Sequence, residues 1–107
     1  MKDDRIYLEH ILQSIDRILS YISDKTRIDF EEDFKTQDAV VRQLEIIGEA
    51  TKRISMDFRR KHKEIPWSDM AGMRDILIHD YIDVDFEIVW KTASEQIPVL
   101  KRLLGKL

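Results

Sequence analysis

Cysteine is absent from these 107 residues, which removes disulfides, thiolate metal sites and thiol nucleophiles together. Glycine occurs three times and proline twice, so long helices are favoured over many short strands. No stretch approaches the roughly 20 apolar residues of a membrane span, and the opening MKDDRIYLEH lacks the apolar centre of a secretory leader. A cytoplasmic protein without membrane association is expected. An excess of basic charge is missing too: the net charge is −3, so any nucleic acid must be met by a local patch. There is no glycine-rich phosphate loop and no sign of a metal cage, so neither a cofactor nor a metal is implied.

What is present is a composition 43% apolar and 36% charged, that of a folded chain with a charged surface. Length and the lack of repeats or linkers predict one helical domain over residues 1–107. From Asp4 to Ser23 the residues Leu8, Ile11, Leu12, Ile15, Ile18, Leu19 and Ile22 recur every three or four positions and predict a helix. Asp29-Phe-Glu-Glu32 has capping-box spacing and suggests a short turn. Thr36 is placed to cap a long second helix whose Val40, Leu44, Ile47, Thr51, Ile54 and Phe58 share one stripe. Gly48 interrupts it where another backbone would pack close. Arg59 to Lys63 reads as its exposed basic tail. Ile65-Pro66-Trp67-Ser68 restarts the chain with Ser68 as a cap, leading to a short helix from Asp69 to about His79. A last helix is expected from Asp83 or Asp85 to Leu104, with Pro98 changing its hydrogen bonding. The fold class is all-α, a bundle of four to five helices.

Chemistry concentrates in Met73-Arg-Asp-Ile-Leu-Ile-His-Asp-Tyr81. Arginine offers a planar fork of donors for phosphate, and histidine can take or give a proton near neutral pH. Together they suit RNA cleavage by the strand's own 2′-hydroxyl, a reaction without need of a metal. Asp75 and His79 are four residues apart, so a carboxylate can orient the imidazole and raise its pKa. On an unbroken helix Arg74 and His79 lie roughly 140° apart. They therefore share no face unless the helix ends first or a second chain completes the site. On spacing alone, ion pairs or partly buried packing at a helix end are the commoner explanation of these residues.

R-x4-H-x-Y is the signature of the HEPN superfamily, and Arg74, His79 and Tyr81 match it. The chain resembles the HepT branch in particular, through Thr36-Gln-Asp-Ala-Val40, Leu44-Glu-Ile-Ile-Gly-Glu-Ala50, Ile65-Pro-Trp67, Ala71-Gly-Met-Arg74 and Val84-Asp-Phe-Glu-Ile-Val-Trp90. The resemblance implies a dimerising HEPN-like bundle. It implies a metal-independent endoribonuclease, the toxin of a type II/VII-like toxin–antitoxin pair, whose groove forms where two copies meet. A homodimer is expected, with room for a higher assembly. Its partner would be an MntA-type nucleotidyltransferase that silences the toxin by attaching AMP to the motif tyrosine, Tyr81 here. Arg74 and His79 are the catalytic candidates, with Asp75 and Tyr81 in support.

Lys52, Arg53, Arg59, Arg60, Lys61 and Lys63 form the densest basic region and are candidates for RNA contact, although a solvated helix end reads the same way. Glu45 and Glu49 read as surface or interface carboxylates. His10 and His62 read as solvated, and Trp67, Trp90, Met56, Met70 and Met73 as packing residues. The rival reading is a non-catalytic helical module that binds the nucleotidyltransferase. A third is a structural bundle in which the motif only ends a helix.

Overall fold

The computed structural model describes residues 3–79 and 85–107, and of residues 74–79 the backbone alone. Helix α1, Asp4–Ile22, turns Ile11, Ser14, Ile15, Ile18 and Ile22 inward, following the three-and-four spacing of its apolar residues. Helix α2 is a short segment, Arg27–Glu31, closed by a capping box. Its cap is Thr26, and Asp29 is the third residue: the Asp29 amide donates to Thr26 Oγ1 at 3.2 Å and the Thr26 amide to Asp29 Oδ2 at 3.0 Å. The expected box at Asp29–Glu32 therefore lies three residues too late, because Asp29 acts as the box's answering carboxylate rather than its cap.

Helix α3 spans Phe34–Lys52 and is capped by Asp33, not Thr36. One Asp33 oxygen accepts the Thr36 amide at 3.0 Å and the other its hydroxyl at 2.6 Å, while Lys25 Nζ lies 3.0 Å away. A carboxylate answers both Thr36 donors and a cation at once, which a threonine cap at position 36 could not do. The Thr36 hydroxyl, its amide and Lys25 hold Asp33 well below the usual carboxylate range. A depressed folded-state pKa contributes stability above the ordinary carboxylate value, lost as pH falls. Wild-type urea midpoints should thus drop more between about pH 4 and pH 2 than those of Asp33→Asn, which keeps a cap but not the charge. Parallel midpoints would contradict this.

The stripe expected to run on to Phe58 breaks after Lys52. Ser55 caps a separate helix α4, Met56–Lys61, and is tied to the start of the chain: its amide and hydroxyl each donate to the Asp4 carboxylate at 2.7 Å. Arg59 reaches back to donate to the Thr51 carbonyl at 2.6 Å, adding a charged donor to a carbonyl that also accepts the Ile54 amide at 3.1 Å. Met56 is 55% exposed, so it is not the packing residue expected.

Helix α5 spans Trp67–His79. Its first bond, Met70 amide to Pro66 carbonyl at 3.1 Å, starts it before Ser68, which lies inside the first turn and is not the cap. Proline at this point has no N–H to lose. Asp85 caps helix α6, Phe86–Lys91, accepting from the Glu87 and Ile88 amides. A π turn, Thr92–Gln96, leads into helix α7, Ile97–Leu104. The Ile97 amide donates five residues back to Thr92, so the change in hydrogen bonding expected at Pro98 occurs just ahead of it.

Helix α3 packs against both α1 and α5; α1 also meets α7 and the π turn, and α2 bridges α3 and α6. Counting α6, the π turn and α7 as one continuous rod, four long helices and two short ones form the all-α bundle. No strand occurs among the described residues. Phe30, Ile11, Ile15, Ile18, Leu44, Ile47, Met70 and Ile97 are fully buried at its centre. Gln37 is buried with them and its amide donates to the Phe30 and Glu31 carbonyls at 2.8 and 3.1 Å, closing the end of α2. Among the described residues no helix is long and apolar enough to cross a membrane.

Candidate functional site

The start of α5 is fixed by aromatic packing. Trp67 is buried, donates its indole N–H to the His62 carbonyl at 2.9 Å, and meets Phe58 edge-on. The His62 ring lies 4.5 Å from that of Phe58, so His62 is a half-buried part of this cluster and not the solvated residue expected. Met70 and Met73 carry the buried face of α5 into the core. Trp90 rests on Phe30 with ring centroids 5.3 Å apart, a packing role.

Positions 74, 75 and 79 all fall on α5. The helix extends through His79, so Arg74 and His79 are about 140° apart around one axis and roughly 7.5 Å apart along it. Positions 75 and 79 stand one turn apart on neighbouring faces. Position 79 stacks nearly over Gly72, at about 20° offset, where an added Cβ would meet nothing within 4 Å. Side-chain contacts of Arg74, Asp75 and His79, and everything about Tyr81, lie outside the described residues.

The basic region divides. Lys52, Arg53, Arg60, Lys61 and Lys63 are exposed, but Arg59 is half-buried on the end of α3 and so is not the free cation expected. Arg60 pairs with Asp57 at 3.3 Å. Arg53 and Lys61 share a broad groove with Asp3, Asp4 and Asp57, so this end of the molecule is a mosaic of both signs. Glu45 and Glu49, half-buried on α3, line a second cleft with Tyr7, His10, Arg42, Ile46, Ala50 and Arg53. Arg42 and Tyr7 drew no attention in the sequence; the signal available was that Arg42, Glu45, Glu49 and Arg53 recur at three- and four-residue spacing on the outer face of α3. Among the described residues no three His, Asp or Glu side chains converge as a metal cage requires.

Comparison with known proteins places this arrangement. Residues 11–107 match the family model described as ribonuclease HepT-like. A "Probable ribonuclease HepT" of Thermococcus cleftensis is 52% identical over 101 residues, covering 94% of this chain and 92% of that protein. A "Putative RNase" of Caldanaerobacter subterraneus is 45% identical over 107 residues, covering 100% of this chain and 96% of that one. A "Gamma-glutamylcyclotransferase and putative RNase" of Methanocaldococcus jannaschii is 49% identical over 106 residues, 99% of this chain. The chain spans only 48% of that last protein. No solved structure matches.

Proposed function

Since the chain belongs to the ribonuclease HepT-like family of the HEPN superfamily, we propose that it is a metal-independent endoribonuclease whose site is built from two copies of α5. The observation that carries this reading is the continuity of α5 through position 79. One such helix presents positions 74 and 79 in directions about 140° apart, so setting an Arg74 beside a His79 calls for a second copy. In this reading the protein is a homodimer, residues 1–107 form its single domain, and each chain holds half of the groove.

The chemistry follows from these groups. Arg74 binds the scissile phosphate through its guanidinium fork. His79 takes the proton of the 2′-hydroxyl, the 2′-oxygen attacks phosphorus, and the bond to the 5′-oxygen breaks. That oxygen takes a proton from the partner's imidazolium, leaving a 2′,3′-cyclic phosphate and a free 5′-hydroxyl. Asp75 orients His79, and Tyr81 places a hydroxyl near the phosphate.

Such a nuclease is toxic to its own cell, and the reading includes its control: an MntA-type nucleotidyltransferase attaches AMP to Tyr81, adding a charged, bulky group two residues after His79. Purified chain is expected to cleave single-stranded RNA in the presence of EDTA, with products ending in cyclic phosphate. Mass spectrometry of the chain co-expressed with the transferase should show AMP on Tyr81. Cleavage abolished by EDTA would remove the metal-independent mechanism, and neutralised toxicity with unmodified Tyr81 would replace modification by simple masking. A chain that binds the transferase but cleaves no RNA would establish the interaction module instead.

A further inference from the structure

The cleft between α1 and α3 is built from chemically capable side chains. Tyr7 and His10 on α1 line it opposite Arg42, Glu45, Glu49 and Arg53 on α3, around a volume of about 510 Å³. On α3 these residues form one ridge, with the two arginines at its ends roughly 16 Å apart along the axis and the two carboxylates between. Tyr7 and His10 meet edge to face with centroids 6.2 Å apart. Arg42 approaches Glu45 only to 3.8 Å and keeps its side chain 69% exposed, so its guanidinium has donors to spare.

The sign pattern narrows the occupant. A bare polyanion would set its phosphates against Glu45 and Glu49, and a cationic peptide would meet an arginine at each end. A ligand with anionic groups at both ends and a flat, neutral, donor-bearing middle suits Arg42, Glu45 and Arg53. Single-stranded RNA has this form: arginine forks take phosphates, aromatic rings stack on an unstacked base, and carboxylates accept from base amino groups. Guanine alone among the four common bases offers two adjacent donors, its ring N–H and exocyclic amine, to the two oxygens of one carboxylate. Adenine and cytosine set a ring acceptor beside their amine, and uracil sets a carbonyl on each side of its N–H.

We propose that this cleft is a guanine subsite for the RNA strand, with Glu45 accepting from the base edge, one ring of the perpendicular Tyr7–His10 pair stacking on the base, and Arg42 and Arg53 holding the flanking phosphates. The subsite rests on the ribonuclease reading and adds a base preference written outside the motif.

The test is fluorescence anisotropy on full-length His79→Ala chain, which should not consume the probe. The probe is a labelled ten-nucleotide oligouridine carrying one central guanosine, inosine or adenosine. Inosine lacks only the exocyclic amine. Guanosine is expected to bind about tenfold tighter than either, and Glu45→Gln to bring the three together. Arg42→Ala, at an exposed position, should weaken the guanosine probe by a similar factor. Equal binding of the three probes, or a preference untouched by Glu45→Gln and an affinity untouched by Arg42→Ala, overturns the subsite. RNA cleavage without guanine preference leaves the nuclease and removes the subsite, whereas guanine preference in a wild-type chain that cuts nothing does the reverse. Loss of transferase binding in Arg42→Ala with unchanged RNA affinity identifies a protein-docking face and also removes it.

Discussion

Replacing His79 with alanine is expected to slow RNA cleavage by about 10²–10⁴-fold and to end growth arrest, while the helical circular dichroism stays at its wild-type value. The magnitude is that of losing one positioned proton-transfer group. The fold should tolerate the change for two reasons. Alanine is the strongest helix former, so α5 is not weakened, and the helix is anchored twelve residues upstream by Trp67 and its bond to the His62 carbonyl. The comparison that separates proton transfer from phosphate binding is Arg74→Lys. It keeps the charge and loses the fork, so it should raise KM for RNA more than it lowers kcat, opposite to His79→Ala. Undiminished cleavage by His79→Ala removes the proposed base.

Periodicity made α1 legible because Ile11, Ile15, Ile18 and Ile22 all point inward from one uninterrupted helix. It misled at Phe58 for a physical reason. The chain leaves α3 at Arg53 and re-enters a helix at Met56 with its apolar residues still in phase, so no gap in the pattern marks the break. At the break Ser55 is paired with Asp4, 51 positions away, and such a contact leaves no local trace. The caps failed differently. Thr26, Asp29, Asp33 and Thr36 are all competent caps, and which of each pair serves depends on partners, Lys25 among them.

Proline carries its own constraint: Pro98 predicts a kink or a change of hydrogen bonding, and the change lies just ahead of it in the π turn. Within the candidate site, Arg74 and His79 were visible as a spacing on one helix. The α1–α3 cleft was not, since Tyr7 and His10 meet Arg42 and Glu45 only through tertiary packing. The basic run from Arg59 to Lys63 looked uniform in sequence. Arg59 leaves it because its guanidinium is held on the Thr51 carbonyl at the end of α3.

Phe30→Ala should be the most destabilising of the single changes considered, by about 3–5 kcal/mol. Phe30 is 0% exposed although it sits on α2, a helix of five residues too short to persist without tertiary support. Its ring lies against Trp90 at 5.3 Å and Phe86 at 6.5 Å, and its carbonyl accepts from buried Gln37. The ring therefore joins α2 to α6 while the backbone carbonyl ties α2 to the start of α3, and loss of the ring leaves a cavity that two neighbouring rings cannot readily fill. For a chain of this size the melting temperature should fall by roughly 15–30 °C. The urea midpoint should fall in proportion with the slope unchanged. Phe30→Leu, which retains much of the apolar volume, should restore a large part of the loss. A drop below about 1 kcal/mol for the alanine variant would mean that α2 contributes little to the fold, and that the packing of α6 depends instead on Val89 and the π turn.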